Sequence, residues 1–246
     1  MGVLRGLAAG GGGLAVLVDP GRTSASDAEE LARRAAGEGV VALLLGNSFG
    51  PPDEGAEFVG TLKRAAPALP LLQFPAMASQ LLAGVDAVLF LSLVSGRNAQ
   101  YLIEEHVRAV PFANRHPEVE LISTAYCLVD GGTITSVESV SQTRPLPADK
   151  PELVAAHVRA ALLIGMRAVY LDAGSGARRP VATACISAAR RAIGAAGAPL
   201  LVGGGVRGPD AVRAARDAGA DIVVVGSRIE QSGADAVHEL AAAARA

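Results

Sequence analysis

The chain has 246 residues, half of them hydrophobic and only 3% aromatic, with Lys+Arg 22 against Asp+Glu 24 and a formal net charge of −2. That length and apolar content permit one sizeable core. The charge balance gives no basic surface for nucleic acid or polybasic membrane docking, and no apolar run reaches the roughly 18 residues of a membrane span.

The start, residues 1–17, is rich in Gly and Ala around a lone Arg5. Val16–Val18 runs straight into Asp19-Pro20, so this stretch reads as the approach to a first strand, not a leader, and the chain is expected in the cytoplasm. Leu14–Val18 predicts that strand. Ser26–Ala36 predicts a helix, with acids early and Arg33-Arg34 late, as the helix dipole prefers. Val40–Leu45 predicts a strand, Ala56–Ala66 a helix and Leu71–Phe74 a third strand. Pro75–Gly84 is too short for a full helix, so the third crossover is abbreviated. Ala87–Leu91 predicts the fourth strand and Tyr101–Ala113 a helix. Glu120–Leu128 is a longer extended run. Behind it, the Asp130-Gly131-Gly132 turn and the β-rich Thr133–Ser141 predict a hairpin extension.

Leu153–Ile164 predicts a helix, Ala168–Leu171 strand six and Ala182–Ala195 a helix. Leu200–Val202 predicts strand seven, Pro209–Ala218 a helix behind its leading proline, Ile222–Val225 strand eight and Ala234–Ala244 the closing helix. Eight strands alternating with roughly seven full helices imply an α/β fold, a closed (β/α)8 TIM barrel with an abbreviated third crossover. A doubly wound open sheet is the structural alternative. No linker breaks the pattern, so residues 1–246 are expected to form a single domain.

Three glycine turns follow the last three strands. They are Gly174-Ser175-Gly176, Gly203-Gly204-Gly205 and Gly226-Ser227. Each ends an apolar run and precedes a helical pattern, a device that turns main-chain N–H groups toward an anion. Phosphate binding by the last loops is common to many barrels. The other polar residues at strand ends are Asp19, Asn47, Ser48, Ser92, Ser95, Tyr126 and Asp172. Asp172 is the only acid inside the strand-six motif, which makes it the candidate proton acceptor for an alcohol, or else an acid that only stabilises its loop. Asp19 before Pro20 reads on its own residues as a turn-former. Phe74, Met77, Leu81, Leu93 and Val94 lie where the shortened crossover would open an apolar groove. Lys63 and Lys150, the only lysines, fall in helical or loop segments, which argues against a Schiff-base aldolase. Asp19 and Asp172 keep a sugar-phosphate isomerase open as an alternative, and a non-catalytic phospholigand-binding barrel is another. His106, His116, His157 and His238 read as surface residues, and Cys127 and Cys185 as buried reduced thiols.

The motifs occur in a fixed order: Val18-Asp19-Pro20, Leu45-Gly46-Asn47-Ser48, Phe90-Leu91-Ser92-Leu93, Tyr170-Leu171-Asp172-Ala173-Gly174-Ser175-Gly176-Ala177, Val202-Gly203-Gly204-Gly205-Val206-Arg207 and Val225-Gly226-Ser227. This succession resembles the geranylgeranylglyceryl phosphate synthase family of barrel prenyltransferases, in its longer group, from about Leu14 to Glu230. The resemblance implies transfer of a polyprenyl (geranylgeranyl) group from its diphosphate to sn-glycerol 1-phosphate, yielding an ether-lipid precursor. It implies that Tyr170, Leu171, Asp172, Ala173, Gly174, Ser175, Gly176, Gly204, Gly205, Gly226 and Ser227 bind the glycerol phosphate. Asp172 and Tyr170 would then be the catalytic pair, with Mg2+ at Asp19 and Ser48. It also implies a homo-oligomer and transient contact with a membrane, with no nucleic acid. Three departures stand out. The family usually has Glu at the place of Asp172, Gly at the place of Asn47, and Asn-Ser where this chain has Ser95-Gly96-Arg97. In addition, Tyr101 replaces an aromatic anchor usually seen as Trp.

Overall fold

Strands buried on both sides read as unbroken apolar runs, and here they build the centre of the molecule. The computed structural model describes residues 2–9, 11–47 and 52–245. The strands are β1 (Gly13–Val18), β2 (Ala42–Asn47), β3 (Leu71–Pro75), β4 (Ala87–Leu93), β5 (Glu120–Leu128), β6 (Ala168–Asp172), β7 (Leu200–Gly203) and β8 (Ile222–Val225). Each pairs in parallel with the next, and β8 returns to β1, closing the barrel through Gly13↔Ile222 and Val16↔Val225.

Side-chain alternation then sorts the core into two shells. Ala15, Leu44, Leu72, Leu89, Ile122 and Leu201 fill the barrel. Their neighbours Val16, Leu43, Leu71, Val88, Val169 and Val202 face outward, where helices cover them. The same alternation brings Asp19, Tyr126, Tyr170 and Asp172 to the upper, C-terminal rim on the inner side.

The covering helices are α1 (Val3–Ala9), α2 (Ala25–Gly37), α3 (Pro52–Ala65), α4 (Glu105–Arg115), α5 (Ser136–Ser141), α6 (Pro151–Leu163), α7 (Thr183–Ile193), α8 (Pro209–Asp217), α9 (Ser227–Ser232) and α10 (Ala236–Arg245). The helix α2 shows why these stretches are helical. The Ser24 hydroxyl caps it by accepting the Asp27 N–H at 3.1 Å, and Ala28, Leu31, Ala32 and Ala35 form its buried stripe. The sequence pattern did not reveal α1. It places Leu7 in the inner shell with Val3 and Leu4 beside it, and so plugs the N-terminal end of the barrel. Lys63 pairs with Asp86 at 2.6 Å, at the start of β4 and away from the upper rim.

Two crossovers matter for the site. Residues 76–86 join β3 to β4 with only a 3-10 turn, Ala78–Gln80, as the abbreviated crossover predicts. Ahead of α4, Gln100–Glu104 forms a π turn, a wider winding often found at functional sites. The hairpin expected over Thr133–Ser141 is not there; the segment forms α5 instead. Its apolar residues Ile134, Val137 and Val140 are three apart, a helical spacing and not a strand's. Gln142, at φ 53°, ends the helix in the left-handed conformation. The chain then touches β5 through one isolated parallel bridge, Val129↔Leu146.

Candidate functional site

A cavity of about 310 Å³ opens at the C-terminal ends of the strands. Phe74, Tyr126 and Tyr170, from β3, β5 and β6, form a contiguous aromatic floor, with ring centroids 5.1 to 5.8 Å apart in edge-on or tilted contacts. The chain has only three tyrosines, and all of them, Tyr101, Tyr126 and Tyr170, line this one space.

Its polar half is built on Asp172. Only 6% of this residue is exposed. Oδ2 accepts the Tyr126 hydroxyl at 2.6 Å and Oδ1 accepts the Gly174 N–H at 2.8 Å. Burial raises the Asp172 pKa, while these two hydrogen bonds pull it back down. Burial, and then the nearby Asp172 charge, hold the phenols of Tyr126 and Tyr170 well above their ordinary value. Both phenols therefore stay protonated and act as donors. Two of the roughly four lone-pair directions of the carboxylate are taken, which leaves it able to accept a proton.

The glycine turns close around this acid. Gly204, at φ 78°, sits so near the Asp172 carboxylate and the Gly174 N–H that no Cβ fits. The N–H groups of Ser175, Gly176, Gly204 and Gly205 find no acceptor among the described residues. Across the opening, Gly226 caps α9 and Ser227 is its first residue, so that helix also begins with unpaired N–H groups. Tyr170, Asp172, Ser175, Gly176, Gly204, Gly205, Gly226 and Ser227 all line the cavity. Leu171 and Ala173 do not; their side chains pack into the outer shell. Gly174 is buried behind the wall and reaches the site through its bond to Asp172.

Asp19 lines the same cavity beyond β1. Its Oδ1 accepts the Gly21 N–H at 2.9 Å and its carbonyl accepts those of Arg22 and Thr23, so it forms the turn and faces the site at once. No group of three or more His, Cys, Asp or Glu among the described residues could cage a metal. One carboxylate in a cavity that also carries main-chain amides would hold a hard cation only together with substrate oxygens and water. Ser48 and the Asn47 side chain lie outside the described residues.

The apolar half follows the gap left by the short crossover. Phe74, Met77, Leu81 and Leu93 line it, while Val94 packs against the outer shell. Ser92 and Ser95 are structural: one hydroxyl donates to the Leu102 carbonyl, and the other accepts the Leu128 N–H. Arg207 lines the polar rim and donates to the Ala177 carbonyl, whereas Arg22 pairs with Glu230 and Arg97 folds back on the Gly96 carbonyl. Contrary to the surface reading, His106 faces the cavity. It stacks on Phe90 at 4.3 Å and contacts the Leu91 carbonyl at 2.8 Å. Glu105, Phe90, Val137 and Val140 also line it. The π turn and α5 bring most of these in, and neither element has a sequence signal strong enough to announce it.

The family model described as the PcrB family matches residues 14–244. The chain belongs to the PcrB family. Among its relatives, the geranylgeranylglyceryl phosphate synthase of Spirosoma linguale is 39% identical over 94% of this chain and 90% of its own. The protein of that name from Chitinophaga pinensis is 39% identical over 92% and 90%. The crystal structure of (S)-3-O-geranylgeranylglyceryl phosphate synthase from Thermoplasma acidophilum, in complex with its substrate sn-glycerol-1-phosphate, superimposes with a TM-score of 0.90. It shares 26% identity and the match covers 99% of this chain and 98% of that one.

Proposed function

We propose that this chain is a prenyltransferase that joins sn-glycerol 1-phosphate to geranylgeranyl diphosphate, giving an ether-lipid precursor. The observation that carries the reading is one cavity with two unlike halves. Main-chain amides beside β6, β7 and β8 suit a phosphate, an apolar groove beside β3 and β4 suits an isoprenoid chain, and Asp172 and Asp19 stand at the polar end.

In this reading the amides of Ser175, Gly176, Gly204, Gly205 and Ser227 hold the phosphate of the glycerol substrate. Tyr170 donates to the glycerol part and fixes its orientation. Asp172 accepts the proton of the C3 hydroxyl as the oxygen bonds to C1 of the prenyl chain. The C1–O bond to diphosphate breaks, and its electron pair leaves with the diphosphate. A raised pKa makes Asp172 a better base for this task. Asp19, with Ser48 by its place in the motif, would hold Mg2+, which neutralises diphosphate charge when bound. Phe74, Met77, Leu81 and Leu93 shield the tail from water.

All eight strands of the barrel come from along the whole chain, which supports one domain. Ile103, Val107 and Val110 form an exposed apolar stripe along the π turn and α4, which supports a homo-oligomer. No helix among the described residues is long and apolar enough to cross a membrane. We place the protein in the cytoplasm, with transient bilayer contact to release a lipid product.

The test is incubation with sn-glycerol 1-phosphate, Mg2+ and labelled geranylgeranyl diphosphate, followed by solvent extraction. A labelled ether phospholipid is expected. No ether product with any prenyl length, together with isomerisation of a sugar phosphate, would overturn the assignment.

A further inference from the structure

The apolar half of the cavity has one wall without a helix, and side chains supply the hydrogen bonds a helix would make. Gln80 Oε1 accepts the N–H groups of Ala76 at 2.8 Å and Met77 at 3.2 Å. Gln73, buried beneath, accepts the Leu82 N–H at 3.0 Å and donates to the Gln80 carbonyl. These bonds join the third crossover to its own strand. Another crosses to the facing wall: the Ala78 N–H donates to Glu105 Oε2 at 2.7 Å.

Glu105 sits where the π turn passes into α4. Its own N–H closes that turn on the Gln100 carbonyl. Its second oxygen accepts from Gln100 Nε2 at 3.1 Å and from Arg108 at 3.3 Å. The side chain is 12% exposed and lines the cavity among apolar neighbours. A carboxylate beside an apolar path is costly unless its bonds are well made. Here they tie two walls together, the crossover carrying Met77 and Leu81 and the turn carrying Tyr101. Bonds to an ionised acceptor are stronger than neutral ones, so this tie resists spreading.

We infer that Glu105 is a positioning residue for chain-length selection, holding the third crossover and the π turn at a fixed separation that sets the width of the prenyl channel. The inference rests on the prenyltransferase reading. It acts on selectivity between prenyl lengths, because the clamp touches the tail wall and none of the glycine turns.

Two substitutions cut the tie from opposite ends. Glu105→Ala removes the acceptor. Ala78→Pro removes the donor; Met77 is extended at φ −145°, ψ 158°, as a residue before proline should be, and Ala78 opens its turn, where proline is tolerated. Glu105→Gln keeps an acceptor oxygen and serves as the conservative rescue. The reading is the ratio of kcat/KM for geranylgeranyl over farnesyl diphosphate. In both cut variants it should change in the same direction by about fivefold or more, a modest fraction of what pocket fit commonly decides. The KM for glycerol phosphate should hold, and Glu105→Gln should retain most of the parental ratio. The same ratio is read from calorimetric affinity for the non-transferable thiodiphosphates. A parent that binds this series without turnover defeats the transferase reading while the clamp is judged on affinity. Equal losses at both lengths, opposite shifts in the two cut variants, or an unchanged ratio overturns the proposal. Should Glu105→Ala fail to fold, Ala78→Pro decides alone.

Discussion

The Tyr126 hydroxyl donates to Asp172 Oδ2 at 2.6 Å, within a strand pair whose register sets Leu128 beside Asp172 and Tyr126 beside Tyr170. This bond fixes one oxygen of a buried acid, and the Gly174 N–H fixes the other. The acid is thus held at both oxygens of its carboxylate. Tyr126→Phe should lower turnover by about tenfold through loss of alignment. It should also move the acid limb of the kcat/KM profile to higher pH. The sign follows because this hydrogen bond lowers the Asp172 pKa, so its loss raises that pKa further and the base protonates sooner. A limb left in place would separate Tyr126 from Asp172 in the mechanism.

Asp172→Asn should cost a factor of roughly 10²–10⁴ in turnover, the usual contribution of a general base, while glycerol phosphate affinity changes little. Full turnover in this variant would exclude Asp172 as the proton acceptor.

Stability should change in the opposite sense. Folded Asp172 keeps its proton to a higher pH than the ordinary value of 3.8. Between that value and the raised one, the folded state binds more protons than the unfolded chain, so stability falls as pH rises through the window. Asn carries no such titration. The Tm of Asp172→Asn should exceed that of the parent at neutral pH, and the difference should shrink as the pH falls through that window toward about 4. A difference independent of pH in thermal melts would contradict burial as the cause of the shift.

Gly204→Ala and Gly176→Ala make a matched pair. Both positions are left-handed, at φ 78° and 76°. A methyl at Gly204 meets the Asp172 carboxylate and the Gly174 N–H, whereas one at Gly176 meets nothing within 4 Å. Both variants should lose about 1–2 kcal/mol to backbone strain, and only Gly204→Ala should also lose most of its affinity for glycerol phosphate. Equal affinities by calorimetry would mean that crowding at Gly204 does not shape the phosphate site.

Asp19→Asn should raise the Mg2+ concentration needed for half-maximal turnover by about tenfold or more, since a neutral amide binds a hard cation more weakly than a carboxylate. An unchanged Mg2+ titration would leave Asp19 only its turn-forming role with Gly21, Arg22 and Thr23.

Eight apolar runs with helical periods between them make parallel strands and covering helices legible in the sequence, while closure over an open sheet rests on the pairing of β8 with β1. The glycine turns and Asp172 are legible there too, since they sit on consecutive strand ends where local spacing is enough. The remainder depends on contacts between distant segments. Glu105 and His106 reach the cavity because a π turn shifts the phase of their helix, and phase is what a periodic pattern cannot report once it is broken. Residues 133–141 read as strand because their composition is β-rich, and that outweighed the three-residue spacing of Ile134, Val137 and Val140, too short a run to carry a helix by itself. The Tyr126–Asp172 bond joins residues 46 apart in the chain. Its existence depends on strand register, a property of the closed sheet that no local stretch of sequence carries.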